Sequence, residues 1–128
     1  MSQKPKSRAS LDDILASCSE TLFPDKMGKA PVTLNSCDAN GDTPLHVMLW
    51  RKDTYAVELI IQAGAEVNAV GDMSETPLHI AVKKQNIKAI EALLKAGADV
   101  TRVSEFGQSP RDIALDIGGD IRKLFVGR

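Results

Sequence analysis

The spacing of apolar residues divides this chain into short helical segments. Val57, Ile60 and Ile61 fall at i, i+3 and i+4, and the stripe returns as Ile90, Leu93 and Leu94, which predicts two helices that each bury one side. Gly64 and Gly97 follow those stripes at positions suited to a left-handed helix cap. Upstream, Thr43-Pro44 and Thr76-Pro77 each offer a hydroxyl that can cap a helix and a proline for its first position, where a missing N–H costs nothing; Ser109-Pro110 does the same. Ser10-Leu11-Asp12-Asp13-Ile14-Leu15 combines a capping serine, an acidic first turn and apolar spacing, and predicts one helix from about 11 to 20. The segment 22–31 contains Pro24, Gly28 and Pro31, which argues against a regular second helix there. Residues 1–9 are polar and basic without apolar periodicity and are expected to be disordered.

These signals recur with one period. Thr43-Pro44-Leu45-His46 returns as Thr76-Pro77-Leu78-His79 at an offset of 33, and the same offset reaches Ser109-Pro110-Arg111-Asp112. Gly64-Ala65-Glu66-Val67-Asn68 returns as Gly97-Ala98-Asp99-Val100-Thr101, with an upstream echo in Pro31-Val32-Thr33-Leu34-Asn35. Gly41, Ser74 and Gly107 share another phase. A fixed period of this size predicts helical hairpins stacked into a solenoid, in which each unit contacts only its neighbours. The C-terminal unit aligns once two residues are deleted, so that Ile121, Leu124 and Phe125 take the places of Ile90, Leu93 and Leu94, with Gly118-Gly119 in the shortened turn. Asp112 stands there where the other units carry histidine, which suits a last unit facing water.

The repeated residues resemble the ankyrin repeat family, whose pattern runs approximately D-x-x-G-x-T-P-L-H-x-A, then a second helix ending in L-L and G-A-D-V-N. The copy from Glu75 to Val100 matches best, with Thr76-Pro77-Leu78-His79-Ile80-Ala81 and Ala92-Leu93-Leu94-Lys95-Ala96-Gly97-Ala98-Asp99-Val100. The resemblance covers roughly residues 31–126 and implies an all-α solenoid of helix-turn-helix units joined by short hairpin or finger loops. The organisation expected is a basic tail at 1–9, an irregular N-terminal cap at 10–36, repeats at 37–69 and 70–102, and a truncated capping repeat at 103–128.

Composition narrows the function. Lys and Arg total 16 against 17 Asp and Glu, a net charge of -1, which removes the electrostatic pull behind nucleic-acid binding. No apolar run approaches the ~20 residues of a membrane span, and no apolar stretch follows the basic N-terminus as in a signal peptide. Cys18 and Cys37 are too few for a disulfide framework, so free thiols and a cytoplasmic location are expected. Aromatic residues make up only 4%, so aliphatic side chains and alanine must fill the core.

Catalytic chemistry finds no constellation in this sequence. His46 and His79 are the only histidines, and their shared repeat position favours polar ties between units over a metal site, which would need further ligands. Cys37 falls at an exposed finger position with no accompanying nucleophile signature. Gly118-Gly119-Asp120 lacks the lysine and spacing of a phosphate loop, and Asp38, Asp42, Asp72 and Glu75 lack EF-hand spacing. No enzyme activity, cofactor or metal is expected.

In the ankyrin family, partners most often meet the finger tips and the outer side of the first helices. Carried over residue by residue, those positions are Ala39, Asn40, Asp42, Trp50 and Arg51, then Asp72, Met73, Glu75, Lys83 and Lys84, then Glu105, Phe106, Gln108 and Asp116. Trp50, Met73 and Phe106 form an apolar row in successive units, as expected of interface anchors, with Arg51, Glu75, Lys83 and Glu105 as rim charges. In the other reading Trp50 folds back on the N-terminal cap. Acidic residues gather on the fingers, and Arg51-Lys52, Lys83-Lys84 and Lys88 gather at the helix–helix turns, which would orient a partner; ordinary solvated faces are the alternative. The expected activity is non-catalytic binding of a partner protein through the concave finger and first-helix face, by a chain that is monomeric alone. Its short stand-alone character also resembles small immunity or inhibitor proteins that neutralise a toxin or enzyme, and a structural subunit of a larger assembly is the third reading.

Overall fold

A computed structural model describes residues 9–27 and 29–128. The helices are α1 (Leu11–Ser17), α2 (Ser19–Leu22), α3 (Pro44–Trp50), α4 (Thr54–Gln62), α5 (Pro77–Lys83), α6 (Ile87–Lys95), α7 (Pro110–Ile117) and α8 (Gly119–Leu124). No strand occurs among the described residues. The expected disordered tail lies outside the described residues except for Ala9, which packs against the core.

Helices pair as α3 with α4, α5 with α6, and α7 with α8. The first helices of these pairs stack as α3, α5, α7, and α4 packs on α6. The repeated apolar stripes face inward: Val57, Ile60, Ile90 and Leu93 are fully buried, while Leu94 is nearly so and Ile61 partly. Among the described residues Phe125 is the one fully buried aromatic, at 1% exposure, with Phe23 partly buried against the core. Aliphatic packing therefore carries the stack, and low aromatic content costs it nothing.

Each first helix starts as its sequence predicts. Thr43, Thr76 and Ser109 are the N-caps of α3, α5 and α7, with proline at the first helical position. The backbone N–H of Thr43 donates to Nδ1 of His46 at 3.1 Å, and that of Thr76 to Nδ1 of His79 at 3.0 Å. With Nδ1 accepting, the proton sits on Nε2, which donates to the next finger: His46 to the Glu75 carbonyl at 3.1 Å and His79 to the Gln108 carbonyl at 3.0 Å. Both histidines are fully buried and link successive units. In α7, Asp112 accepts from the Ser109 N–H at 3.0 Å and is exposed.

The finger segments are closed turns rather than strands. The Asp38 N–H donates to Asp42 O, Gly71 to Glu75 O and Ser104 to Gln108 O. Gly41 and Gly107 take positive φ within these turns, and Ser74 takes the same conformation, φ 59°, without being glycine. A second ladder runs along the ends of the units: the side-chain oxygen of Asn35 accepts from the Glu66 N–H at 3.1 Å, and that of Asn68 from Asp99 at 2.8 Å.

The N-terminal cap differs from the single helix expected. Two helices, α1 and α2, are separated by Cys18, whose N–H bonds Leu15 O in a tightened turn. Ile14, Cys18 and Leu22 insert into the core, and α1 packs against α4. A 3-10 turn at Pro24–Lys26 replaces a regular second helix, as the prolines predict.

Candidate partner-binding face

Three elements converge at the finger edge of the first helices. Trp50 is the last helical residue of α3, and Lys83, one period later, is the last of α5. Met73 and Phe106 hold equivalent places in the second and third fingers. Trp50 and Met73 are each 45% exposed and Phe106 62%. These side chains line one cleft of about 280 Å³ together with Asp42, Asp72, Glu75 and Ile80. The apolar row read from the sequence is thus a single surface feature.

Lys83 enters this cleft instead of standing on its rim. Its Nζ lies 5.8 Å from the Trp50 ring centroid and 5.4 Å from that of Phe106, within the range of cation–π attraction. Glu75 accepts from it at 2.7 Å. Glu75, expected as a rim charge, is 5% exposed. A carboxylate so far from water requires a cation, and Lys83 is the side chain that α5 brings within reach. Lys84, half-buried, places its Nζ 5.1 Å from the Trp50 ring centroid.

Arg51 is also not a rim charge. Its guanidinium donates to Ser17 Oγ at 3.0 Å, Ser17 O at 3.1 Å and Thr21 Oγ1 at 3.1 Å, bracing the N-terminal cap against α3. Trp50 also reaches toward the N-terminal cap, since it borders a cavity of about 240 Å³ with Thr21, Leu22, Asp38, Asp42, His46, Val47 and Arg51. With Arg51, Lys83 and Lys84 held by intramolecular contacts, the basic edge expected from the sequence contracts.

The remaining positions separate into those that bind their neighbours and those left open. The Asp42 carboxylate accepts from the Asp72 N–H at 3.0 Å, and the Glu105 N–H donates to Met73 O at 2.9 Å, so adjacent fingers are tied together. Glu105 Oε2 lies 3.4 Å from Ser74 Oγ. Gln108 is half-buried and gives its carbonyl to His79. Ala39, Asn40 and Asp116 are exposed and do not line the cleft. Sequence reasoning missed Ile80 as a lining residue and missed that Lys83 lies between two rings; its frame position, one unit on from Trp50, was the available signal.

Burial lowers the pKa of His46 and His79 below the ordinary imidazole range, opposed by the carbonyls they face and by nearby carboxylates. Burial raises that of the Cys18 thiol, with Arg51 pulling the other way. Cys37 is exposed. No group of three or more potential metal ligands occurs among the described residues.

A family model described as ankyrin repeats, in three copies, matches residues 14–104. The chain belongs to the ankyrin-repeat family. The match begins within α1 and ends before α7, so the α7–α8 pair lies beyond it although it stacks on α5. A search of the curated proteins returns no match. Ankyrin repeats generally mediate protein–protein interaction and are typically non-catalytic, which agrees with a face built from side chains rather than an enclosed pocket. No described helix is long and apolar enough to cross a membrane.

A larger cavity, about 560 Å³, lies elsewhere, between α4 and α6. Its lining balances Glu58 and Glu91 against Lys88 and Lys95 and carries no aromatic residue. Size alone does not make it the better candidate, since anchors in protein interfaces are enriched in aromatic side chains.

Proposed function

We propose that this ankyrin chain binds a partner protein through its finger and first-helix face, with Trp50, Met73 and Phe106 as apolar anchors. Asn40, Asp72, Lys84 and Glu105 form the polar surround. The observation that carries the reading is the partly exposed Trp50 and Phe106, each with the Lys83 ammonium over its ring, lining one cleft. Large exposed apolar side chains grouped on one face mark interaction surfaces. In this reading units 37–69 and 70–102 present the face, with 10–36 and 103–128 as caps, and the chain acts as a cytoplasmic monomer without catalysis.

Affinity capture with the wild-type chain and with Trp50→Ala/Phe106→Ala tests the proposal. A partner retained by the wild type is expected to lose at least about thirtyfold in affinity for the double variant, from ~2 kcal/mol at a hot spot. Equal affinity for both chains refutes it. The captured protein's identity separates an inhibitor or immunity role, where a toxin or enzyme is recovered, from a subunit role, where the recovered proteins form one stable assembly.

A further inference from the structure

The cleft holds a cation belonging to the chain itself, and that occupant describes the ligand the cleft accepts. Three carboxylates line it, from Asp42, Asp72 and Glu75, against one ammonium, Lys83. Glu75 already neutralises that ammonium at 2.7 Å. Within the lining the excess negative charge then rests on Asp42 and Asp72, with the Lys84 ammonium beside it on Trp50, and Asp72 has no ion-pair partner among the described residues. Trp50 and Phe106 present ring faces to the same space, and ring faces attract cations.

We infer that the partner inserts a basic side chain, arginine above lysine, between Trp50 and Phe106, displacing Lys83 toward solvent. This rests on the proposed binding face and adds the chemistry of its partner. Lys83 can leave because its side chain is already 36% exposed, whereas Glu75, at 7%, stays behind as a carboxylate needing a cation. A guanidinium suits the vacated place better than an ammonium: it is planar, stacks on rings and offers several donors to Glu75 and Asp72. An acidic partner segment would meet three carboxylates and an ammonium already paired.

Trp50 is the only tryptophan, so its fluorescence reports on the cleft without labelling. Hexa-arginine, hexa-lysine, hexa-glutamate and a neutral hexa-leucine-serine peptide are titrated into the full chain at constant ionic strength. Saturable change of Trp50 emission is expected with hexa-arginine, weaker with hexa-lysine and absent with hexa-glutamate. Phe106→Ala is expected to weaken hexa-arginine about two- to fivefold, the worth of one exposed cation–π contact. Asp72→Asn should also weaken it, and both residues are exposed, so neither variant threatens the fold. Lys83→Met should tighten binding by removing the resident cation; because it unpairs Glu75, its folding is checked by circular dichroism, and the two exposed variants decide the matter if it unfolds. Equal affinity for wild type, Phe106→Ala and Asp72→Asn overturns the inference, as does no response to either basic peptide. If the acidic or neutral peptide binds in a Phe106-dependent manner, the basic-ligand inference falls while the binding face stands. If partner capture proves independent of Trp50 and Phe106, the face itself falls.

Discussion

Lowering the pH from 7 toward 5 should destabilise the stack through two side chains, His46 and His79. Each accepts a threonine N–H at Nδ1 and donates from Nε2 to the next finger. A proton added at Nδ1 would change that nitrogen from an acceptor into a donor facing the buried threonine N–H, which would lose its acceptor. Burial already holds both imidazoles below their ordinary pKa. The unfolded chain, whose histidines titrate near 6.5, therefore takes up protons first as pH falls. Their stabilising contribution is fully present above about pH 6.5 and is lost as pH drops through the lower folded-state values. Each histidine adds at most one proton to the difference, worth ~1.36 kcal/mol per pH unit, so the pair limits the slope to about 2.7 kcal/mol per unit. Against a total stability on the order of 5–15 kcal/mol for a domain, a loss of that size is readily measured.

Urea unfolding at half-unit steps from pH 7.5 to 5 gives the stability, and its slope counts the protons. Long-range nitrogen–proton NMR identifies which ring nitrogen carries the hydrogen. A stability that stays flat below pH 6.5, or a hydrogen found on Nδ1, would refute the reasoning. The two carboxylates held below their usual range do not confuse the result. Hydrogen bonds from Thr101 and Ser109 hold Asp99 and Asp112 below the usual carboxylate range, so their contributions disappear only below about pH 4.

Arg51→Ala removes three hydrogen bonds to the N-terminal cap; at ~0.5–1.5 kcal/mol each, less solvent compensation, the cap should loosen by about 1–2 kcal/mol. Thiol labelling reads this directly: exposed Cys37 reacts in the native chain, buried Cys18 does not, and Arg51→Ala should speed Cys18 alone. Ser74→Gly relieves a left-handed backbone at φ 59° and should stabilise the chain by ~0.5–1 kcal/mol in thermal unfolding, the lost Ser74–Glu105 contact being long and exposed. Gly71→Ala should cost about 1–3 kcal/mol, measured by urea unfolding, since its methyl group would overlap the Asp42 carboxylate and lie 2.9 Å from His46 Nε2.

What the sequence made legible was whatever repeats. The stripes at Val57 and Ile90, the Thr-Pro caps and the inter-unit histidines depend on contacts one period away, so their register could be read directly from an offset of 33. The N-terminal cap has no such partner in the sequence. Its break at Cys18 follows from packing on α4 and from the reach of Arg51, and neither leaves a local signature. The site was legible as a row but not as a cleft. Exposure of Trp50, Met73 and Phe106 follows from their frame positions, whereas the Glu75 to Lys83 pair spans a cap and a whole helix, outside the i,i+4 spacing by which helical ion pairs are recognised.

Glu75 joins the two halves of the molecule's physics. Its carbonyl receives Nε2 of His46 at 3.1 Å, and its carboxylate receives Lys83 at 2.7 Å. The first contact belongs to the stack and the second to the cleft, and a single residue's backbone fixes both. Movement of the second finger away from α3 would therefore weaken the inter-unit bond and shift the anion that sets the charge of the proposed binding face. Asp42 repeats the coupling from the other side, tied to the Asp72 N–H while lining the same cleft. The scaffold repeats Thr-Pro-Leu-His because stacking demands it, while positions free of that demand hold Trp50, Lys83, Met73 and Phe106. Such a surface is shaped by the stack but not required by it, so its side chains can change while the fold is retained.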